Sequence, residues 1–222
     1  MTKEQQNVKE FMRMFGQETP EAPTQIDENT AKLRASLMLE ECLETIMQGL
    51  GLSIMVDFND GRGFLSGNPK DQTERYGVYF FSFVKEKEVD LVELADGLAD
   101  LAYVGPHGTA CAAGIDLEPI EKAVDESNKS KLWSADDLVK HWGDEEEKNY
   151  FYCQCEDPDW FIVKRKSDRK VVKSPSYHEV TPEIVRIIEE QKNKEEISVN
   201  TLKMLERSIA EFKKGEASSP KG

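Results

Sequence analysis

Leu37-Met38-Leu39-Glu40-Glu41-Cys42-Leu43-Glu44 is the stretch on which the fold turns. Glu40, Glu41 and Glu44 stand at i, i+1 and i+4, a spacing that puts three carboxylates on one surface of a helix. Acidic residues on a helix usually mark a solvated face. These are instead bracketed by apolar residues, and Ile46 and Met47 continue the apolar run. An uncompensated carboxylate in such a setting must be protonated, paired with a base or neutralised by a cation. Ala31, Leu33, Leu37, Met38, Leu39, Leu43, Ile46 and Met47 together predict one long helix over residues 29–49, which Gly49 and Gly51 are placed to end.

A second acidic set, Glu93, Asp96 and Asp100, stands at i, i+3 and i+7 on a helix predicted over residues 89–104. Apolar residues run nearly all the way round that helix, from Val89, Leu91, Val92 and Leu94 to Leu98, Leu101 and Tyr103, and predict that it is buried. Gly105-Pro106 is expected to kink it before the small-residue stretch 108–114. Both helices are poor in nearby bases. If they pack with their acidic stripes facing, up to six carboxylates surround one cavity, the all-oxygen donor set that suits a hard divalent ion. Mg²⁺ is the expected occupant and Mn²⁺ its substitute. Carboxylates on facing helices are a known way of building a metal site in a bundle.

Residues 1–28 read as an N-terminal helix on Val8, Phe11, Met12 and Phe15, followed by a loop rich in Pro, Glu and Thr. Residues 29–134 read as a helical core, with a β-rich insertion at 51–86 carried by Ser53-Ile54-Met55-Val56 and Val78-Tyr79-Phe80-Phe81. Within that core a further helix begins near Asp116, as its cap, takes Pro119 in its first turn and ends near Asn128. Residues 135–222 read as an extension with short strands at 150–155, 160–165 and 169–173. Two helices follow, one from Thr181-Pro182-Glu183 through Gln191 and a last one on Val199, Leu202, Leu205, Ile209 and Phe212. The fold class is mainly α: a four-helix-type bundle with small β insertions and a short C-terminal α/β extension.

The chain of 222 residues carries 29 Lys and Arg against 43 Asp and Glu, a formal charge of −14, which argues against a nucleic-acid partner because no face concentrates its bases. No stretch approaches the roughly 18 apolar residues of a membrane span, and the N-terminus lacks the apolar segment of a signal peptide, so a cytoplasmic location is expected. The four cysteines are expected to be thiols. Cys153-x-Cys155 with His141 or His178 lacks the second tight pair of a structural zinc site and is read as strand cysteines.

Glu40-Glu41-Cys42-Leu43-Glu44, Glu93-Leu94-Ala95-Asp96 and Ala99-Asp100-Leu101-Ala102-Tyr103 resemble the EExxE and ExxD signature of the all-α NTP pyrophosphatases. That superfamily includes MazG-type enzymes, dimeric dUTPases and phosphoribosyl-ATP pyrophosphohydrolase. Gly108-Thr109-Ala110, Gly114-Ile115-Asp116 and Ser127-Asn128-Lys129-Ser130-Lys131 are similar to segments of small MazG-like proteins, many of them phage-encoded. Lys170-Val171-Val172-Lys173-Ser174-Pro175-Ser176-Tyr177 is similar to the segment that closes them. Two departures stand out: the loop at 50–88 is longer than usual, and residues 135–160 interrupt a normally short step. Register is also open, because Glu93-x-x-Asp96 fits the formula while Asp100 fits the surrounding context.

The resemblance implies Mg²⁺-dependent hydrolysis of a nucleoside triphosphate between its α and β phosphorus atoms, giving a monophosphate and pyrophosphate. It implies Glu41, Glu44, Glu93 and Asp96 as metal ligands, with Glu40 and Asp100 as further ligands; Glu40, Glu41 and Asp100 are the catalytic candidates. Asn128 and Lys131 are implied at the phosphate and sugar, with Lys129, Lys173 and Arg34 as further substrate contacts. A homodimer or homotetramer is implied, since the family builds its bundles across subunits. A dUTP- or dCTP-directed enzyme is the alternative within the class. The histidine-biosynthetic substrate is disfavoured by the added Lys-rich segment. From another class, the chain is a non-catalytic helical interaction protein on the same fold, which would have no need of six carboxylates among apolar residues.

Overall fold

The computed structural model describes residues 1–56 and 81–217, so the Val78-Tyr79-Phe80 part of the expected second strand lies outside the described residues. The protein is mainly helical, with two small sheets among the described residues, and it forms two compact units. One unit holds Glu4–Thr19 and Gln25–Ala112; the other holds Met1–Lys3, Pro20–Thr24 and Ala113–Gly222.

In the first unit, α1 (Lys3–Met14) places Val8 and Met12 against Cys111 and Ala112, a buried cluster flanked by Ile26 and Tyr103. Helix α2 (Glu28–Glu44) starts at Asp27, whose side chain accepts from the amides of Asn29 and Thr30 and from the Thr30 hydroxyl. Those bonds hold the Asp27 carboxyl below the usual carboxylate range, Thr30 contributing most. Asp90 caps α3 (Leu91–Ala102) in the same way, accepting from the amides of Val92 and Glu93.

Neither helix ends as a regular one. Helix α2 runs into a π-helical turn at Thr45–Gly49, and α3 runs into another at Tyr103–His107 that leads directly into α4 (Gly108–Ala112). Gly105-Pro106 therefore does not break the helical path: the widened turn accommodates a proline that lacks an N–H. Gly51, at φ +68°, closes the first run in a conformation that a Cβ would disfavour. Strands β1 (Leu52–Val56) and β2 (Phe81–Lys85) then pair antiparallel, Leu52 opposite Lys85 and Val56 opposite Phe81.

Helix α3 departs from the sequence expectation of burial. Leu91 and Val92 are about three-quarters exposed and Leu98 is half exposed, and Leu33, Leu39 and Met47 of the neighbouring helical run are also open. Only Gly97 is fully buried on α3, because the helix packs through a narrow glycine-bearing edge.

In the second unit, α5 (Glu118–Lys129) packs on the start of α8 (Thr181–Ala217). Asp116 accepts from the Glu118 amide at 3.2 Å, and the Gln191 amide side chain pairs with the Asp116 backbone in both directions at 2.9 Å. The two helices expected beyond Thr181 are one, since no Pro or Gly interrupts the sequence between Gln191 and Val199. A three-stranded antiparallel sheet runs in the order β3 (Trp133–Ser134), β5 (Trp160–Arg165), β4 (Tyr150–Gln154). Val171 makes only a single bridge to Lys164 where a third strand of the hairpin was expected. Between β3 and β4 lie two short helices that the sequence reading does not contain, α6 (Ala135–His141) and α7 (Asp144–Asn149). Trp133, Leu138 and Val163 form this unit's core with Trp142, Tyr150, Phe161 and Val172 around them.

Candidate functional site

The acidic motifs are brought together by glycines. A Cβ on Gly97 would stand 2.6 Å from Thr45 Oγ1 and 3.1 Å from Thr45 Cα, and one on Gly49 would stand 2.6 Å from Leu94 Cα. Farther along, Gly105 faces the Met38 side chain and Gly108 faces the Arg34 guanidinium. Residue numbers rise on one partner as they fall on the other, so the helical run that begins with α2 lies antiparallel to the run formed by α3 and α4, with the backbones touching where side chains are absent. Thr45 is buried at this contact and its hydroxyl donates to the Glu41 carbonyl at 2.7 Å. Glu41 sits one turn before Thr45, Asp96 adjoins Gly97, and Asp100 follows it by a turn.

Glu41 is the half-buried centre of the resulting cluster. Desolvation pushes its carboxyl above the ordinary range, and the negative charges of Asp100, Glu44, Glu40 and Asp96 add to the shift in that order. Glu40 and Glu44 thus act on Glu41 from its own helix, and Asp96 and Asp100 act on it from α3. Glu93 lies in the first turn of α3. Glu40, Glu44, Asp96 and Asp100 are exposed, so the single chain presents an open acidic face rather than the enclosed cavity expected from the sequence. Among the described residues, no three His, Cys, Asp or Glu side chains stand as a ready-made metal cage, and Glu40, Glu41, Asp96 and Asp100 have no basic partner. The donor set is all oxygen and carries uncompensated negative charge, which fits a hard divalent cation that keeps part of its water shell.

Arg34 shares a helix with these residues but faces inward. It is 5% exposed; its guanidinium donates to Gln17 Oε1 at 2.5 Å and approaches Met12 Sδ at 3.7 Å, and burial lowers its pKa. Among the described residues Arg34 Nε and His107 Nδ1 are buried without a hydrogen-bond partner. Arg34 therefore ties α2 to α1 and the loop after it.

The second unit holds Asn128, Lys129, Lys131 and Lys173. Lys131 Nζ donates to Asn128 Oδ1 at 2.6 Å, whereas Lys129 pairs with Asp125 at 2.6 Å, which raises its pKa. Residues 173–178 lie against the turn that carries Asn128 and Lys131. The Ser174 hydroxyl donates to the Ser130 carbonyl at 2.8 Å, and the Ser127 hydroxyl donates to the His178 carbonyl at 2.9 Å. The His178 amide donates to Ser130 Oγ at 3.3 Å. Two motifs remote in sequence are thereby clasped into one seam, which the sequence reading missed although it quoted both halves. Tyr177 is the residue overlooked there: the Lys173 ammonium lies 3.9 Å from its ring centroid.

A separate cleft of about 480 Å³ is lined by Lys148, Asn149, Tyr150, Arg165, Lys166 and Ser167. Its cations are already engaged, Lys148 by Glu145, Arg165 by Asp168 and Lys166 by the Glu147 carbonyl. Cys153 is exposed and Cys155 half-buried, both as thiols.

A family model described as phosphoribosyl-ATP pyrophosphohydrolase matches residues 8–128. The matched span takes in both acidic motifs and Asn128, and stops short of Lys131 and Lys173. No curated protein matches the chain.

Proposed function

The chain belongs to the phosphoribosyl-ATP pyrophosphohydrolase family, within the all-α NTP pyrophosphatase superfamily, and on that premise we propose a Mg²⁺-dependent enzyme that hydrolyses an NTP or dNTP to the monophosphate and pyrophosphate. The family's chemistry is that of a hydrolase acting on nucleotide-like substrates. The observation that carries the finer reading is Glu41, half-buried and surrounded by Asp100, Glu44, Glu40 and Asp96, with no base paired to it among the described residues. A polyphosphate would be repelled by this face unless its charge were inverted, and a divalent cation performs that inversion.

Glu41, Glu44, Asp96 and Glu93 are assigned as ligands, with Glu40 and Asp100 as ligand or proton acceptor. A divalent cation held by these carboxylates would supply positive charge to offset the phosphates and to acidify water. Of the chain's own groups, Glu40, Glu41 or Asp100 would orient a water for attack at the α phosphorus and take its proton as pyrophosphate leaves. Lys131, Lys173 and Lys129 supply cations for phosphate, Asn128 a hydrogen-bonding amide for the sugar or phosphate. The apolar residues left open on α2 and α3, Leu39, Leu91, Val92 and Leu98 among them, support a homodimer or homotetramer in which a second copy covers them.

The test is pyrophosphate release from the common NTPs and dNTPs, dUTP and phosphoribosyl-ATP, with and without Mg²⁺. Glu41→Gln should lower turnover by roughly 10²–10⁴-fold. Preference for dUTP or dCTP would narrow the substrate, and preference for phosphoribosyl-ATP would place the chain with the substrate its family is named for. Absence of release from every substrate would favour the non-catalytic interaction protein.

A further inference from the structure

We infer that Tyr177 is a positioning residue for substrate phosphate: its ring holds the Lys173 ammonium beside the turn of residues 127–131, so that Lys173 and Lys131 form one two-cation subsite. The inference rests on the pyrophosphohydrolase reading and adds to it a residue that contacts no phosphate itself.

Lys173 is exposed, and an exposed lysine on a four-carbon stem loses rotamer freedom when it engages an anion. Part of that ordering is done beforehand here. The ammonium sits 3.9 Å from the Tyr177 centroid, well inside the ~6 Å range of a cation–π contact. Tyr177 is itself fixed, because its amide donates to the Ser174 carbonyl at 3.1 Å and Ser174 is anchored to Ser130. The next residue, His178, is bonded through both its amide and its carbonyl to Ser130 and Ser127. Ser127 and Ser174 are about 95% buried, so the clasp is part of the unit's packing and not a loose surface contact. The Tyr177 phenol is held below the ordinary tyrosine range, first by Ser127 and then by Lys173, while Glu179 opposes them. Lys131, the other cation of the seam, is oriented by Asn128. The ring face and the phenol both bear on the ammonium, whereas a large apolar side chain at 177 would fill the space and hold no cation.

Three variants separate the possibilities: Tyr177→Leu removes the ring, Tyr177→Phe keeps it and loses the hydroxyl, and Lys173→Met removes the cation. On the preferred substrate, Tyr177→Leu should raise KM about two- to fivefold, the size of a cation–π contact at an exposed site, with kcat within twofold of wild type. Tyr177→Phe, which keeps the ring face, should cost less than Tyr177→Leu. In the Lys173→Met background the change to Leu should add nothing. Equal effects of Leu and Phe, an undiminished Leu effect without Lys173, or a loss confined to kcat would each overturn the inference.

Calorimetric binding of inorganic tripolyphosphate to the full chain supplies a readout independent of turnover. Affinity should fall in Lys173→Met and Tyr177→Leu and fall less in Tyr177→Phe. That result would support the subsite even if no substrate releases pyrophosphate, in which case only the assigned reaction fails. Equal affinity in all variants, or no binding by wild type, overturns the subsite itself.

Discussion

Replacing Gly97 by alanine should weaken a protein in which most helical glycine-to-alanine exchanges would strengthen it. In an ordinary helix interior the exchange gains about 1 kcal/mol. At Gly97 the new methyl would stand 2.6 Å from Thr45 Oγ1 and 3.1 Å from Thr45 Cα. The hydroxyl cannot simply swing away, because Thr45 is buried and bonded to the Glu41 carbonyl, and the second atom belongs to the backbone. The two helices must separate, at an overpacking cost in the upper part of the 1–3 kcal/mol range. The net loss is then about 1–2 kcal/mol, or a fall of about 2–8 °C in melting midpoint for a chain of this size. Circular dichroism melts of wild type, Gly97→Ala and Gly97→Ala with Thr45→Ala measure it. The double variant should recover part of the loss, since the closest atom is gone. Because the separation also moves Glu41 away from Asp96 and Asp100, kcat/KM should fall by more than stability alone explains. A Gly97→Ala protein that melts above wild type would refute the close helix contact and with it the geometry assigned to the acidic cluster.

The other predictions concern metal, charge, thiol and surface. Mg²⁺ at about a hundred times its dissociation constant should raise the melting midpoint by about 5–10 °C in wild type and much less in Glu41→Gln; a flat wild-type response removes the metal assignment. Arg34→Met should leave the melting midpoint unchanged or raised, because a buried guanidinium without a carboxylate partner is replaced by an apolar chain of similar length; a large fall in midpoint, or a raised KM at unchanged midpoint, would show a charge requirement. Burial lifts the Cys111 thiol above its ordinary value of 9.0, so its share of stability is intact below about pH 9 and is lost as pH rises through the folded value. Native protein should accordingly react with a thiol reagent at Cys153 well before Cys111, and Cys111→Ala should lessen alkaline destabilisation; early labelling of Cys111 would contradict its burial. Leu98→Glu should lower the sedimentation mass of the assembly, and an unchanged mass would exclude this face of α3 from the interface.

The two long helices were legible because their apolar period is strong, and the acidic cluster because carboxylates interrupt that period. What spacing within one helix cannot supply is how far its partner slides along it. That slide is fixed by Gly49 and Gly97, and it is what sets Asp96 and Asp100 beside Glu41. Periodicity likewise tells which residues of α3 seek cover but not whether the same chain provides it, and Leu91, Val92 and Leu98 are open. Arg34 was expected at the substrate, and only the packing of α1 shows it turned inward. Helix α6 did carry a signal: Ser134 and Asp137 form a reciprocal capping box, overlooked among strand-forming neighbours because the helix is a bare two turns. The clasp between residues 127–131 and 173–178 joins serines whose role no local pattern announces.

The two π-helical turns carry a consequence for how this fold tolerates insertions and deletions. Each adds a residue to one turn of a helix, so residues on either side of it are out of step with a regular 3.6-residue winding. Thr45–Gly49 lies opposite the Leu94 and Gly97 end of the contact, and Tyr103–His107 lies opposite the Met38 end. The acid-bearing stretch is thus framed between two offsets in winding, one on each partner. Removing a single residue from either turn would restore regular winding there and leave the helix beyond it close to its present phase, whereas the same deletion inside α2 or α3 would rotate everything beyond it by about 100°. Loss of one residue at these turns should consequently do less harm than the same loss within the regular part of either helix, and the two turns mark where the length of the chain has room to change.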